Sequence, residues 1–182
     1  MVNPTPSVRP DLPTLAGLFY TYPTDIGEFH EVTANELPPV YRQLLAHEGH
    51  MTETVEAFYG CPVDVEVIAK HITATHYARK ILLRKQTDRR VVQFGIARLN
   101  FAYLSDIVRE EIVSERIPLG RVLINHDVLR EVQLFALWRL VPGPDLRALF
   151  GLDKPVEVYG RTALIYCNGE PGVELLEIVA PV

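Results

Sequence analysis

The most constraining feature of this sequence is a set of apolar runs that reverse direction across very short polar turns. YARKILLRKQ and RVVQFGIARLNF stand on either side of Thr87-Asp88-Arg89, and VEVYGRTALIYC and VELLEIVAPV flank Asn168-Gly169-Glu170-Pro171. Strand-like segments joined by so few residues can pair only antiparallel, because a parallel connection needs a crossover of a dozen residues or more. VDVEVIAKHIT adds the period-two alternation of Val63, Val65 and Val67 against Asp64 and Glu66, and REVQLFALWRLV reads as a further strand. Few helical stretches intervene, which predicts an antiparallel α+β fold.

The helical stretches are short. Leu37, Val40, Tyr41, Leu44 and Leu45 recur at helical spacing between Glu36 and His47, with Gly49 as a stop. A second helix is expected over Thr52 to Tyr59, closed by Gly60, and Ser105 caps a third over DIVREEIVSE that Pro118 ends. IPLGRVL reads as a loop and PDLRALFG as a short helix. Residues 1–35 carry Pro4, Pro6, Pro10, Pro13 and Pro23 without sustained periodicity, so an irregular N-terminal arm is expected there, with one domain over 36–182.

Composition narrows the function classes. A chain of 182 residues holds one core, and its 48% hydrophobic and 23% charged residues are ordinary for a globular protein. No run of about 18 apolar residues could cross a bilayer, and the proline-broken start is no signal peptide, so no membrane partner and a cytoplasmic location are expected. Cys61 and Cys167 are too few for a disulfide framework and show no CxxC spacing. The net charge of −5 argues against nucleic acid as a partner, so an anionic small molecule would be met by a few local arginines.

Motif by motif, cofactor chemistry finds no foothold. His47 and His50 in AHEGH lack the i, i+4 spacing of HExxH, so no metal is expected. GxSxG, GxGxxG and GxxxxGK[ST] are all absent, so no nucleotide or other cofactor is expected either.

Two charged residues sit where strand parity makes them conspicuous. Arg79 shares a face with Tyr77, Ile81 and Leu83, and an inward arginine needs an anion, either a ligand or a core carboxylate. Arg98, in phase with Phe94 and Ile96, is a second candidate cation. Glu177 shares parity with Leu175 and Val179, whereas Glu174 lies in phase with Leu176 and Ile178. Parity leaves both choices open.

Four blocks in order resemble one family. LLAHEGHMTETVEAFYGCPVDVEV at 44–67, ARKILLR at 78–84, IPLGRVL at 117–123 and GRTALIYCNGEPGVELLEIVAP at 160–181 are similar to chorismate pyruvate-lyases, closest to the 4-hydroxybenzoate-forming branch, over roughly 36–182. The resemblance implies a chorismate lyase-like single antiparallel sheet of about six strands flanked by helices. It implies a cofactor-independent lyase that eliminates pyruvate from chorismate to give 4-hydroxybenzoate. Arg79 matches the arginine that binds the ring carboxylate, Met51 and Leu119 match positions whose backbone amides assist it, and Glu177 matches the carboxylate facing the ring hydroxyl. Arg79 and Glu177 are thereby the implied catalytic pair. An extra residue in the final turn keeps Glu174 as the alternative. The competing function is a non-catalytic small-acid sensing module of the same fold, as in regulator effector domains; pyruvate release from chorismate separates the two.

Overall fold

Local turn chemistry builds the sheet outward from its hairpins. In the computed structural model, which describes residues 9–128 and 130–182, Asn168 and Gly169 both adopt positive φ (54° and 84°). That is the backbone a tight two-residue hairpin requires, and it joins β6 (Val158–Cys167) to β7 (Glu170–Val179). Arg89, at φ 62°, turns β3 (His76–Lys85) into β4 (Val91–Asn100). With β1 (Gly27–Val32), β2 (Val63–Ile72) and β5 (Arg130–Pro142), these form one seven-stranded sheet in the order β1-β5-β6-β7-β4-β3-β2. Every neighbouring pair is antiparallel. The C-terminal strand β7 thus lies beside β4, at the centre of the sheet.

Helices cover both faces. On one face lie α2 (Pro39–Leu45), α3 (Met51–Tyr59), α4 (Asp106–Val113) and α5 (Leu119–Asn125). Their apolar sides pack into two clusters, one around Leu99, Val108, Val122, Ile165 and Val173, the other around Leu44, Val55, Ile81, Leu83 and Val179. The opposite face carries α1 (Leu12–Gly17) and α6 (Pro144–Phe150), whose Leu15 and Leu146 pack on Leu82, Phe94, Ile96, Leu176 and Ile178. The alternating parity of the strands sorts residues between these two layers. Among the described residues, no helix is long and apolar enough to cross a membrane.

The expected α+β fold with one antiparallel sheet and flanking helices is the fold observed, and Ser105 and Gly60 terminate their helices as anticipated. One expectation is refined and three are corrected. The sheet has seven strands rather than about six, because β1 was hidden in the stretch assigned to an irregular arm. Of that stretch, residues 9–35 include α1, where Asp11 accepts the Thr14 amide at 2.9 Å and Pro13 occupies the first turn, a place where proline costs nothing. The rest of the arm, residues 1–8, lies outside the described residues. IPLGRVL is not a loop: Leu119–Asn125 is helical, stabilised by burying Leu119, Val122 and Leu123 rather than by propensity, since Gly120 sits in its first turn. The helix after Ser105 stops at Val113, well before Pro118.

Candidate ligand-binding site

Three cross-strand rows on the α3/α5 face define a cavity. Ile81, Gly95, Glu177 and Arg161 lie side by side across β3, β4, β7 and β6. Arg79, Ala97, Leu175 and Ala163 form the next row, and Leu83, Gln93, Val179 and Tyr159 the row on the other side. Gly95 and Ala97 are small, and a cavity lies beside them. It is narrow and open to solvent on one side. Helix starts roof it: His50, Met51 and Thr52 of α3, and Pro118, Leu119 and Gly120 of α5. A Cβ at Gly120 would stand 3.3 Å from Thr52 Oγ1, so glycine there lets the two helix starts meet.

Arg79 is the exceptional residue of this wall. It is 2% exposed, and its Nε and Nη1 have no hydrogen-bond partner among the described residues. Burial pushes the guanidinium down from the ordinary arginine value, while the nearby Tyr77 hydroxyl and Glu115 carboxylate act in the opposite sense. Glu115 is itself engaged, accepting from Lys70 Nζ and Tyr77 Oη at 2.8 Å each. Two buried N–H donors without a partner, on a residue that lines the cavity, can form a fork for a planar anion. No side chain caps the first turn of α3, whose Met51 lines the same space, so the positive end of that helix reinforces the preference.

Glu177 lines the cavity as well, but it is not alone there. Arg161 Nε donates to its Oε2 at 2.7 Å, and Arg161 is fully buried. The same guanidinium donates through Nη1 to the His47 carbonyl at 2.8 Å and through Nη2 to the Gly49 carbonyl at 3.0 Å. It therefore ties the α2–α3 connection to the sheet floor. Of the three ionised groups Arg79, Arg161 and Glu177, the last two neutralise each other, and the charge on Arg79 remains.

Met51, Arg79, Leu119 and Glu177, singled out by sequence, line this one cavity. Arg98 and Glu174 do not: they pair with each other at 2.5 Å across β4 and β7, with the parity of the opposite face. Sequence reasoning missed Arg161 and Gln93. The available signal for Arg161 was its parity with Tyr159, Ala163 and Ile165 in a strand of otherwise apolar or small residues. Among the described residues, no group of three or more His, Cys, Asp or Glu is placed to hold a metal ion. Cys167 is buried, which pushes its thiol up to about 11, while Cys61 is only half-buried.

The chain matches no family model and no curated protein. Its fold is similar to that of solved structures at low identity. The effector domain of PhnF from Mycobacterium smegmatis superposes with TM-score 0.54 at 12% identity, over 72% of this chain and 88% of that one. The PhnF chain in a second structure gives 0.53 at 13%, over 72% of this chain and 64% of its own length. The chain thus matches less than two thirds of that protein. The C-terminal domain of the histidine utilization repressor from Pseudomonas syringae gives only 0.41 at 10%, over 65% of this chain and 86% of that one, and carries no weight here.

These neighbours correct the expected activity. The single antiparallel sheet is the chorismate lyase-like fold, and the solved structure it superposes on with TM-score 0.54 is named an effector domain, not a lyase. The expectation of a chorismate pyruvate-lyase is overturned on that finding. Glu177, expected to face the ring hydroxyl, has its carboxylate held by Arg161. Chorismate as the ligand, and the exclusion of nucleic acid as a partner, receive no support from these neighbours.

Proposed function

We propose that this chain is a binding module for a small organic monocarboxylate, a sensor of the effector-domain type. The observation that carries this is Arg79: a buried guanidinium with two orphaned donors, facing an apolar cavity roofed by helix starts. A buried charge without a partner is costly, and a fold keeps one where a ligand supplies the counter-charge. The charge balance favours one carboxylate over two, because Arg161 already serves Glu177. Met51 and Leu119, at the starts of α3 and α5, complete the anion end of the cavity. Glu177 serves as the anchor that holds Arg161 and, through it, the roof over the cavity.

Sensing requires that binding change something outside the cavity. The α2–α3 connection is the element placed to do so, since Arg161 grips it from the cavity floor while α3 meets the ligand at Met51. The test is calorimetric titration of the purified protein with benzoate and hydroxybenzoates, with pyruvate measured in parallel on chorismate. Saturable binding of a monocarboxylate without pyruvate release is expected, and Arg79→Ala abolishes it. Failure of every such acid to bind, or undiminished binding by Arg79→Ala, would refute the reading.

A further inference from the structure

Arg79 has a cationic neighbour on its own face of the sheet. Lys70 on β2 and Arg79 on β3 are direct antiparallel partners, so their side chains leave the sheet side by side. Like charges so placed repel each other. The carboxylate that meets this pair is Glu115, which accepts from Lys70 Nζ and from Tyr77 Oη at 2.8 Å each. Tyr77 stands two residues before Arg79 on β3 and shares its face. Two cations and one anion leave a single positive charge, and the unsatisfied Nε and Nη1 assign it to Arg79.

Glu115 lies in the connection between α4 and α5, three residues before Pro118, which roofs the cavity. Its φ is 60°, just after the C-cap Ser114, a place where helices commonly end on glycine. The left-handed backbone is easier for glycine, so what a glutamate adds there is its carboxylate. Which of two cations that carboxylate takes decides the state of the site. The Lys70 side chain is 48% exposed, whereas Arg79 is buried, and an ion pair is stronger where water is excluded. Burial disfavours the Arg79 charge, and Glu115 is among the groups that favour it.

We propose that Lys70 and Glu115 are positioning residues of the acid site: Lys70 holds the Glu115 carboxylate at the edge of the sheet, which leaves the Arg79 donors open to a ligand anion. Removing the Lys70 charge releases Glu115 to pair with Arg79 and closes the site from within. The competitor of the ligand is then the protein's own carboxylate. This rests on the binding function proposed above and adds its control from the surface.

The experiment is titration calorimetry with benzoate, at one ionic strength, on wild type, Lys70→Met, Glu115→Gln and the double variant. Lys70→Met is expected to weaken binding about tenfold, the scale of one hydrogen bond to a charged group. Glu115→Gln should bind at least as tightly as wild type. In its background Lys70→Met should change affinity by no more than about twofold, because no carboxylate is left to release. Lys70→Arg should bind as wild type does, since it keeps the charge that holds Glu115. A simple loss of positive charge would instead weaken binding by the same factor in both backgrounds, and that result overturns the role of Glu115. Equal affinity of wild type and Lys70→Met makes Lys70–Glu115 an ordinary surface ion pair and overturns the role of both. Lys70→Gln and Glu115→Gly, the latter suited to the left-handed backbone, complete the cycle where a first variant does not fold. Each of these outcomes leaves the binding function intact, whereas no benzoate binding by wild type overturns that function and this inference together.

Discussion

The two faces of the sheet treat charge differently. On the α1/α6 face, Arg98 is paired with Glu174, and Lys80 Nζ meets the Tyr20 hydroxyl at 3.2 Å and Asp145 at 3.4 Å. Among the described residues, the one orphaned group on that side, Arg147 Nε, belongs to a residue that is only half-buried on a surface helix. On the α3/α5 face, Arg161 and Glu177 form a buried pair, yet Arg79 and Gln93 are left unsatisfied within the same cavity. Both faces are built from the same strands, with the same alternation, and both bury large aliphatic cores. The contrast therefore does not come from folding requirements. On the binding function proposed above, one face is finished by the protein itself and the other by a ligand.

The comparison is broken most severely at Arg161. Arg161→Ala strands Glu177 and frees the α2–α3 connection, and removing one partner of a buried pair costs about 3–5 kcal/mol. The equivalent change on the other face, Arg98→Ala, removes a pair that reaches solvent and should cost about 1 kcal/mol. Urea denaturation of the two variants measures the ratio, and equal losses would erase the distinction between the faces. Replacing Arg161 and Glu177 together by leucine should recover most of the larger loss, since no uncompensated charge then remains.

Arg79 should behave in the opposite way. Arg79→Met removes a buried cation whose Nε and Nη1 have no partner among the described residues, so the unliganded protein should keep or gain stability while acid binding weakens by about 2–5 kcal/mol. A thermal melt with and without benzoate reads both effects; a variant that melts lower and still binds would place Arg79 in the core rather than in the site. A smaller effect is expected for Gly95→Val, which fills the space between Arg79 and Gln93 and presses on Ile81. Overpacking of this kind costs about 1–3 kcal/mol and should reduce ligand affinity more than stability.

The smallest effect is a pH dependence confined to the cavity face. Burial, and then the Arg161 guanidinium, push His47 below its ordinary value of 6.5. Its neutral ring is also committed, with Nε2 on the Leu44 carbonyl at 2.8 Å and Nδ1 accepting from the Gly49 amide at 3.0 Å. Below that ordinary value the unfolded chain takes up a proton that the folded chain resists. Stability is therefore full at higher pH and falls as pH drops through 6.5 towards the folded-state value. His47→Gln should flatten this part of the profile between pH ~7.5 and ~5.5 in urea denaturation. An unchanged slope would show that the Arg161 anchor is indifferent to the charge of the loop it holds.

Much of this architecture was legible from local signals. The tight turns at Thr87-Asp88-Arg89 and Asn168-Gly169 forced antiparallel pairing, and parity put Arg79 and Glu177 with the residues that later proved to line one cavity. What failed locally failed for physical reasons. β1 is an edge strand with mostly exposed or half-exposed side chains, so it carries little alternation to detect. α5 owes its helix to the core it covers and not to its sequence, which has a proline at the cap and a glycine in the first turn.

By itself, then, the sequence determined the strand content, the antiparallel connections and the face each side chain takes, because period and turn chemistry act over a few residues. It did not determine which charges meet. That Arg98 meets Glu174, and that Gly95 and Ala97 come to lie beside Glu177 and Leu175, depends on the register of β4 and β7. This join, β4 with β7, brings together residues more than sixty positions apart. Such a register is fixed by packing the whole sheet against its helices, and periodicity along one strand contains no information about it.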